Sequence, residues 1–350
     1  MKKFKILFII IASITTFTSC EVEFSPNDNW KDIPVVYCIL DQDEDTTYVR
    51  VQRCFMGEGN QLLFAQIGDS INYPQGALTV IMEEWASWKD DAGHYHAMGS
   101  KPLRVYNFDY DVTYKDDGIF YSEGQPVYKA FTRGLLDTAS IYFLKVIKNA
   151  TGDTIASSET VLIRGNMRLF DPNNTTKFNF SGAVGNRTCN IKWSNMSEAR
   201  KYQPVIRFWY YDLIVDYSVT PWDTTITPGY VDIPGNVIKS NMRDLTYSTK
   251  LEENKFLATI ESALKGSDVK RFIIDTVQVY ILCCDEDLSA FIYANNPQGT
   301  LSHDPFTYTN IEGGLGIFAA RRRNINFKVA TPNSPNTDYI KNLKALNVGF

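Results

Sequence analysis

Hydrophobic and polar residues alternate with a period of two along much of the chain, which is typical of strands with one buried face. Residues 140–163, SIYFLKVIKNATGDTIASSETVLI, are the clearest case, because Tyr142, Leu144 and Val146 fall on one face and NATGD supplies a turn. Residues 33–55 repeat the pattern around the acidic turn DQDED. Both segments predict β-hairpins.

A helical spacing of apolar residues occurs in only a few places. In residues 251–266, Phe256, Ile260 and Leu264 recur every four positions, and Gly266 follows as a stop signal. Residues 285–296 and 338–347 predict two further short helices. Turn-forming residues cluster at 164–177, RGNMRLFDPNNTTK, and favour a domain boundary there.

The predicted fold is therefore mostly β. We expect an immunoglobulin-like β-sandwich at residues 34–164, because the paired ending of this segment resembles the last strands of such domains. A second β-rich, α+β domain with one or two short helices would fill residues 165–350. The 20 tyrosines and 21 phenylalanines among 350 residues agree with a strand-rich chain.

The charge balance argues against a nucleic-acid partner. The formal net charge is -5 at pH 7, with 35 basic and 40 acidic residues. Nucleic-acid binding proteins need a dense basic surface to displace counterions, and this composition has no basic excess.

The first twenty residues have the three parts of an export signal. Lys2, Lys3 and Lys5 precede a short apolar run, and small and polar residues then lead to Cys20. The end of the signal, FTSC, resembles a bacterial lipoprotein box, which implies removal of residues 1–19 and acylation of Cys20. Residues 20–33 would then form a lipidated tether to the membrane. The alternative is an ordinary signal peptide with a chance cysteine.

The five other cysteines, Cys38, Cys54, Cys189, Cys283 and Cys284, are expected to be small buried hydrophobic residues. In the first predicted hairpin, Cys38 would pair opposite Val49, which places Cys54 beyond disulfide reach. Neither a CxxC motif nor a zinc-like spacing of Cys and His occurs.

Residues 310–323, NIEGGLGIFAARRR, invite two interpretations. A phosphate-binding loop would need a helix after the glycines, and a P-loop would also need a Lys-Ser/Thr pair, which is absent. The residues that follow, IFAARRRNINFKVA, have the pattern of an extended chain instead. We therefore expect a glycine-rich turn that enters a strand.

Two clusters suggest metal ligands, and neither is persuasive. Asp41, Asp43 and Asp45 alternate like the start of a calcium loop, but the Gly and Glu that an EF-hand requires are missing. His94 and His96 would share one face of a strand, with His303 or Asp304 as distant partners for zinc. We expect neither a metal nor a cofactor.

Catalytic motifs are also missing from the sequence. There is no GxSxG elbow, and no Ser or Cys lies in a recognisable nucleophile context. Paired catalytic carboxylates are set by space and not by spacing, so that alternative stays open. We expect a non-enzymatic protein.

Tryptophans are the candidate ligand-binding residues. Trp85 and Trp88 lie in EEWASWKDD, and Trp222 lies in the loop-like segment SVTPWDTT. Binders of sugars and peptides use flat aromatic faces in such positions. Tryptophans inside predicted strands, such as Trp193 and Trp209, are expected in the core.

Three segments together resemble a family of Bacteroidota lipoproteins that carries only a domain-of-unknown-function label. They are residues 33–55, residues 142–163, and FTYTNIEGGLGIFAA at 306–320 after FIYANN. The resemblance implies an outer-membrane lipoprotein, often encoded beside a TonB-dependent receptor. It leaves open whether the chain faces the cell surface or the periplasm.

From the lipoprotein box, this resemblance and the missing catalytic motifs we expect a binding or accessory component of a TonB-dependent nutrient-uptake system. The candidate tryptophans suggest a glycan or peptide ligand. A structural or adhesive, fimbrial-like surface protein is the first alternative. A surface hydrolase is the second, and it would need two carboxylates or a nucleophile and a base in one cleft.

Overall fold

The structure is a computed structural model, and it describes residues 32–54, 61–114, 116, 118, 121–173, 175–241, 243–266, 269–295, 308–323, 325–332 and 338–350. The predicted signal peptide, the predicted acylation site Cys20 and nearly all of the predicted tether lie outside the described residues.

In the part of the chain that the structure describes, strands make up 52% and helices 12%, which confirms a mostly β fold. The described strands are β1 (Pro34–Asp41), β2 (Thr46–Arg53), β3 (Leu78–Lys89), β4 (Tyr95–Met98), β5 (Arg104–Thr113), β6 (Gln125–Phe131), β7 (Ser140–Lys148), β8 (Asp153–Val161), β9 (Leu169–Asp171), β10 (Thr188–Ser194), β11 (Lys201–Asp216), β12 (Asp223–Pro234), β13 (Ile238–Lys239), β14 (Thr246–Glu252), β15 (Lys270–Cys284), β16 (Leu315–Arg322) and β17 (Asn326–Ala330). The described helices are α1 (Gln61–Phe64), α2 (Gly68–Ile71), α3 (Glu253–Leu264), α4 (Glu286–Ala294) and α5 (Asp338–Ala345).

Both predicted hairpins are present. Strands β7 and β8 pair antiparallel, and Gly152 at the turn has a φ of 76°, in the left-handed region that glycine tolerates. Strands β1 and β2 pair with Cys38 opposite Val49, as the sequence predicts. Every cysteine in the described residues is free.

One large sheet connects most of the molecule. Its described strands follow the order β12-β11-β15-β16-β1-β2-β6-β5-β3-β7-β8, and β13, β17 and β4 pair at the side of β11, β15 and β3. Strand β8 comes back towards β16, where Ser157 bridges to Glu312 just before that strand. The strands of the N-terminal half and β16 therefore curl into a nearly closed arrangement.

The glycine-rich segment forms a turn and then strand β16, as the sequence predicts. Strand β16 runs parallel to β1, with Gly316 opposite Val36. Gly316 has a φ of 110°, and a Cβ atom there would lie 2.0 Å from the carbonyl oxygen of Val36. Only glycine allows this close approach of two backbones.

Strand β11 organises the C-terminal half, because it pairs with both β12 and β15. Its inner face packs on a second, three-stranded sheet of order β14-β10-β9; Trp193 of β10 meets Tyr202 of β11 with ring centroids 5.8 Å apart. Helix α3 buries Phe256, Ile260 and Leu264 against the same layer, which confirms the predicted helix.

A continuous cluster of buried side chains runs through both halves, from Val36 to Val348. The predicted division near residue 164 and the immunoglobulin-like detail stay predictions. Among the described residues, we find no helix with the length and apolar character that crossing a membrane requires.

Candidate functional site

The acidic turn between β1 and β2 and the arginines at the end of β16 bind each other. Arg322 donates from Nε and Nη2 to the two carboxylate oxygens of Asp43, at 3.0 and 3.1 Å. Arg323 donates to Asp41 at 3.3 Å and also to Glu44. These groups neutralise one another, so neither a calcium loop nor an anion site is formed from them.

The two histidines of the β3–β4 hairpin share one carboxylate. Asp90 lies 2.9 Å from Nε2 of His96 and 3.6 Å from Nδ1 of His94. The hydrogen bond with His96 is the main reason that the pKa of Asp90 falls to about 2. No group of three metal-binding side chains occurs in the part of the chain that the structure describes, and His303 and Asp304 lie outside it.

The three candidate tryptophans lie in two places. Trp85 and Trp88 belong to β3; Trp85 is half-buried with Nε1 donating to Glu83 at 3.0 Å, and Trp88 is 50% exposed beside His96. Trp222 is 67% exposed at the tip of the β11–β12 hairpin, against Tyr217. Strands β3 and β12 are not neighbours in the sheet, and ligand binding at these residues stays a prediction.

A different group of side chains forms the best candidate site, a cleft of about 320 Å³ between the β1–β2 turn and the C-terminal sheet. We call it the Arg207 cleft. It is lined by Glu44, Val205, Arg207, Asp232, Tyr280, Leu282 and Arg323.

Arg207 is held in one orientation. Its Nε and Nη2 donate to the two oxygens of Asp232, both at 2.7 Å, and Nη1 donates to the hydroxyl of Tyr280 at 3.3 Å. The guanidinium carbon also lies 4.0 Å from the ring centroid of Tyr230 and 4.8 Å from that of Tyr280. A bidentate ion pair between aromatic rings fixes a long, flexible side chain before any ligand arrives.

Aromatic side chains continue from the cleft along the outer surface of the sheet. This aromatic face consists of Trp209, Tyr211, Tyr230, Phe272 and Tyr280, none of which is fully buried. Trp209 packs on Tyr230 with centroids 5.1 Å apart, and its Nε1 donates to Gln278 at 2.9 Å. The expectation of a core position is correct for Trp193 and wrong for Trp209.

The sequence contains a signal for this face that motif reasoning misses. In β11, the buried residues Ile206, Phe208 and Tyr210 alternate with Arg207 and Trp209, so aromatic residues occupy both faces of one strand. Aromatic residues at both even and odd positions of one strand indicate that its outer face also makes contacts. Arg207 identifies which of the two faces is the outer one.

A second cleft, of about 300 Å³, lies where β8, β4 and helix α4 meet. We call it the Asp285 cleft. It brings together several carboxyl groups, the arrangement that the hydrolase alternative requires. Its ionisable lining residues include His94, Glu159, Glu198, Arg200, Asp285, Glu286 and Asp287.

Asp285 is buried and engaged on both oxygens. Oδ1 accepts from the backbone N–H of Leu288 at 2.8 Å, and Oδ2 accepts from the N–H of Ala320 at 2.6 Å and the hydroxyl of Thr160 at 3.3 Å. Burial raises the pKa of Asp285 to about 7, and these hydrogen bonds offset only part of that increase. The side chain caps helix α4 and joins it to β8 and β16.

Glu198, the next carboxylate in the Asp285 cleft, is engaged as well. Its Oε1 accepts from Lys89 at 2.8 Å and from the hydroxyl of Tyr95 at 2.8 Å. Burial alone would raise the pKa of Glu198, but these bonds hold it below its usual range. Both carboxylates therefore serve as acceptors within the fold, and the Arg207 cleft is the better candidate for binding.

No protein-family model matches the chain, and no curated protein is significantly similar to it.

Proposed function

We propose that this chain is a lipid-anchored outer-membrane protein that binds a ligand without transforming it, as a component of a TonB-dependent nutrient-uptake system. Acyl chains on Cys20 would hold it at the membrane. The observation that carries the proposal is the Arg207 cleft together with the aromatic face: a fixed arginine and partly exposed rings on the outer side of a sheet.

Two physical features support a binding role for this surface. Tyr230 is 50% exposed although it is a large aromatic residue, and it lies among rings and paired charges. Aromatic residues and arginine are enriched where proteins recognise ligands and partners, since they offer contact area at a low entropic cost. The ion pair of Arg207 with Asp232 is made in advance, so binding requires little reorganisation.

A structural or adhesive role is the second candidate, and the tip of the β11–β12 hairpin favours it. Large apolar residues are exposed there, namely Ile214, Tyr217, Trp222 and Ile226. An apolar tip of this kind suits contact with another protein subunit.

Affinity purification from native outer membranes tests the proposal. A tag is best inserted at Val184, which is 85% exposed, because Phe350 at the C terminus packs against Phe208 at 5.8 Å. The expected result is recovery of a TonB-dependent receptor in stoichiometric amount. Recovery of filament subunits, or of the chain alone, contradicts an uptake role.

The control variant is Cys20→Ser, expressed at the same level. If acylation anchors the chain, this variant leaves the membrane fraction and loses the receptor. A variant that stays in the outer membrane with the receptor bound contradicts the lipid-anchor part of the proposal.

A further inference from the structure

We propose that the Arg207 cleft binds a neutral saccharide, with one sugar unit in the cleft and the adjoining units on the aromatic face. This inference rests on the proposed binding function and names the chemical class of its ligand.

The charge balance of the cleft selects against ions. Arg207 is paired with Asp232, and Arg323 is paired with Glu44 and Asp41. Each positive group therefore has a negative group at hydrogen-bond distance, so an anionic ligand meets carboxylates and a cationic ligand meets guanidinium groups. An uncharged ligand avoids both repulsions and leaves the ion pairs intact.

The free hydrogen-bonding capacity of the cleft matches hydroxyl groups. A guanidinium group has five N–H donors. Three of those of Arg207 are used by Asp232 and Tyr280, so two have no acceptor among the described residues. Asp232, which is partly exposed, keeps lone pairs beyond the two that Arg207 occupies. Neighbouring sugar hydroxyls each donate and accept, so they can bind the unused N–H groups of Arg207 and the lone pairs of Asp232 at the same time.

The rings supply the apolar half of saccharide recognition. The C–H groups on one face of a sugar ring pack against an aromatic face, and Tyr230 and Trp209 offer such surfaces next to Arg207. Gln278 accepts from Trp209 Nε1 at 2.9 Å and from the hydroxyl of Tyr280 at 3.0 Å, which fixes the planes of both rings. A rigid platform of this kind suits a rigid, flat ligand.

The size of the site agrees with a small sugar unit. Its volume of about 320 Å³ lies near the lower end of the range of small-molecule sites, roughly 300–1,000 Å³. The aromatic face outside the cleft gives a longer chain of sugar units room to continue. A phosphate or carboxylate ligand would use the arginines but gain nothing from the rings.

Isothermal titration calorimetry on the full chain provides the test. The chain is purified in a detergent without a sugar headgroup, such as a dimethylamine oxide, so that the detergent does not compete. The probes are maltohexaose, cellohexaose, xylohexaose and mannohexaose, with oligogalacturonate and the glucosamine hexamer as charged counterparts. At least one neutral probe is expected to bind at least tenfold more tightly than either charged probe.

The variants locate the site. Tyr230→Ala and Arg207→Lys are each expected to weaken binding about tenfold or more. The matched controls are Tyr48→Ala, also 50% exposed, and Arg133→Lys, which pairs with Asp45 at the surface; both are expected to change binding less than twofold. Circular dichroism checks that each variant is folded, and Asp232→Asn serves as a second cleft variant.

Three results overturn the inference: no neutral probe binds, a charged probe binds more tightly, or the cleft variants bind as the wild type does. If a TonB-dependent receptor copurifies while all neutral probes fail, the uptake function stands and the saccharide assignment falls. If a neutral saccharide binds in the cleft and no receptor copurifies, the assignment stands and the uptake function falls.

Discussion

The Arg207 cleft and the Asp285 cleft have similar volumes, about 320 and 300 Å³, and both gather charged side chains where the two halves of the chain meet. They differ in what satisfies those charges. Asp285 is buried, and backbone N–H groups from two elements occupy its oxygens. Arg207 is partly exposed and is held by side chains alone, with donors left over. Asp285 therefore serves the fold, whereas Arg207 keeps unused N–H donors at a partly exposed position.

Strand β16 links the two clefts, and a substitution of its Gly316 is expected to have the largest effect on stability. It supplies Ala320 to Asp285 and is followed by Arg323 of the other cleft. Gly316→Ala places a Cβ 2.0 Å from the oxygen of Val36, at a φ that L-residues rarely adopt. We expect a loss of more than about 4 kcal/mol in the free energy of unfolding, since backbone strain and a clash with a central strand combine.

Chemical denaturation followed by circular dichroism measures that loss. Gly152→Ala is the control, because the φ of Gly152, 76°, is also positive and nothing lies within 4 Å of the added Cβ. The control is expected to lose only about 1 to 2 kcal/mol. Equal losses for the two variants would show that the close approach of β16 to β1 is unimportant.

Asp285→Ala tests whether the side chain in the Asp285 cleft stabilises the fold. The variant removes the cap of helix α4 and leaves three donors, two of them buried, without their acceptor. At pH 5, where the wild-type side chain is mostly protonated, we expect a loss of about 3 kcal/mol in the free energy of unfolding. Glu286→Ala, at an exposed neighbour, is expected to change it by less than about 0.5 kcal/mol. A loss for Glu286→Ala and none for Asp285→Ala would show that Asp285 does not stabilise the contact of helix α4 with β8 and β16.

The pH dependence of stability tests the same side chain. The pKa of Asp285 is about 7 in the folded chain, against a usual value of 3.8 for an aspartate. Above pH 3.8 the unfolded chain releases this proton and the folded chain keeps it, so the contribution of Asp285 to stability falls as pH rises to about 7.

Asp285→Asn lacks this titration and keeps a capping side chain. The difference in unfolding free energy between wild type and variant is therefore expected to shift in favour of the variant from pH 4 to pH 8. A difference independent of pH would contradict the raised pKa.

Arg207→Met tests the other cleft and should have the smallest effect on stability. The ion pair with Asp232 is partly exposed, and surface pairs contribute little. We expect a loss of no more than about 1 kcal/mol in the free energy of unfolding, measured by the same denaturation. A loss as large as that of Asp285→Ala would mean that Arg207 is a structural residue and that the contrast between the clefts is false.

The sequence predicts the features that depend on local patterns. The hairpins, the acidic turn, helix α3 and the entry into β16 are all confirmed, because alternation, helical spacing and glycine act over a few residues. It also leads to the correct pairing of Cys38 with Val49.

Features that depend on distant parts of the chain are not predictable in this way. Arg322 and Asp43 meet across 279 positions, so each looks like half of a ligand site when read alone. Trp209 has the same local pattern as buried strand residues, and its outward position follows from which face of β11 the helices and the small sheet cover. The Arg207 cleft depends both on distant contacts and on which face of β11 is exposed. Its walls come from the β1–β2 turn, β11, β12, β15 and the end of β16.

The parallel pairing of β16 with β1 has a consequence for how the protein is made. Strand β16 covers the free edge of β1, with Leu315 opposite Val35, so the covering strand is synthesised long after β1. Until then an apolar strand with unpaired backbone groups stays open to other chains. The early half therefore has to be shielded from other chains until β16 is made and pairs with β1.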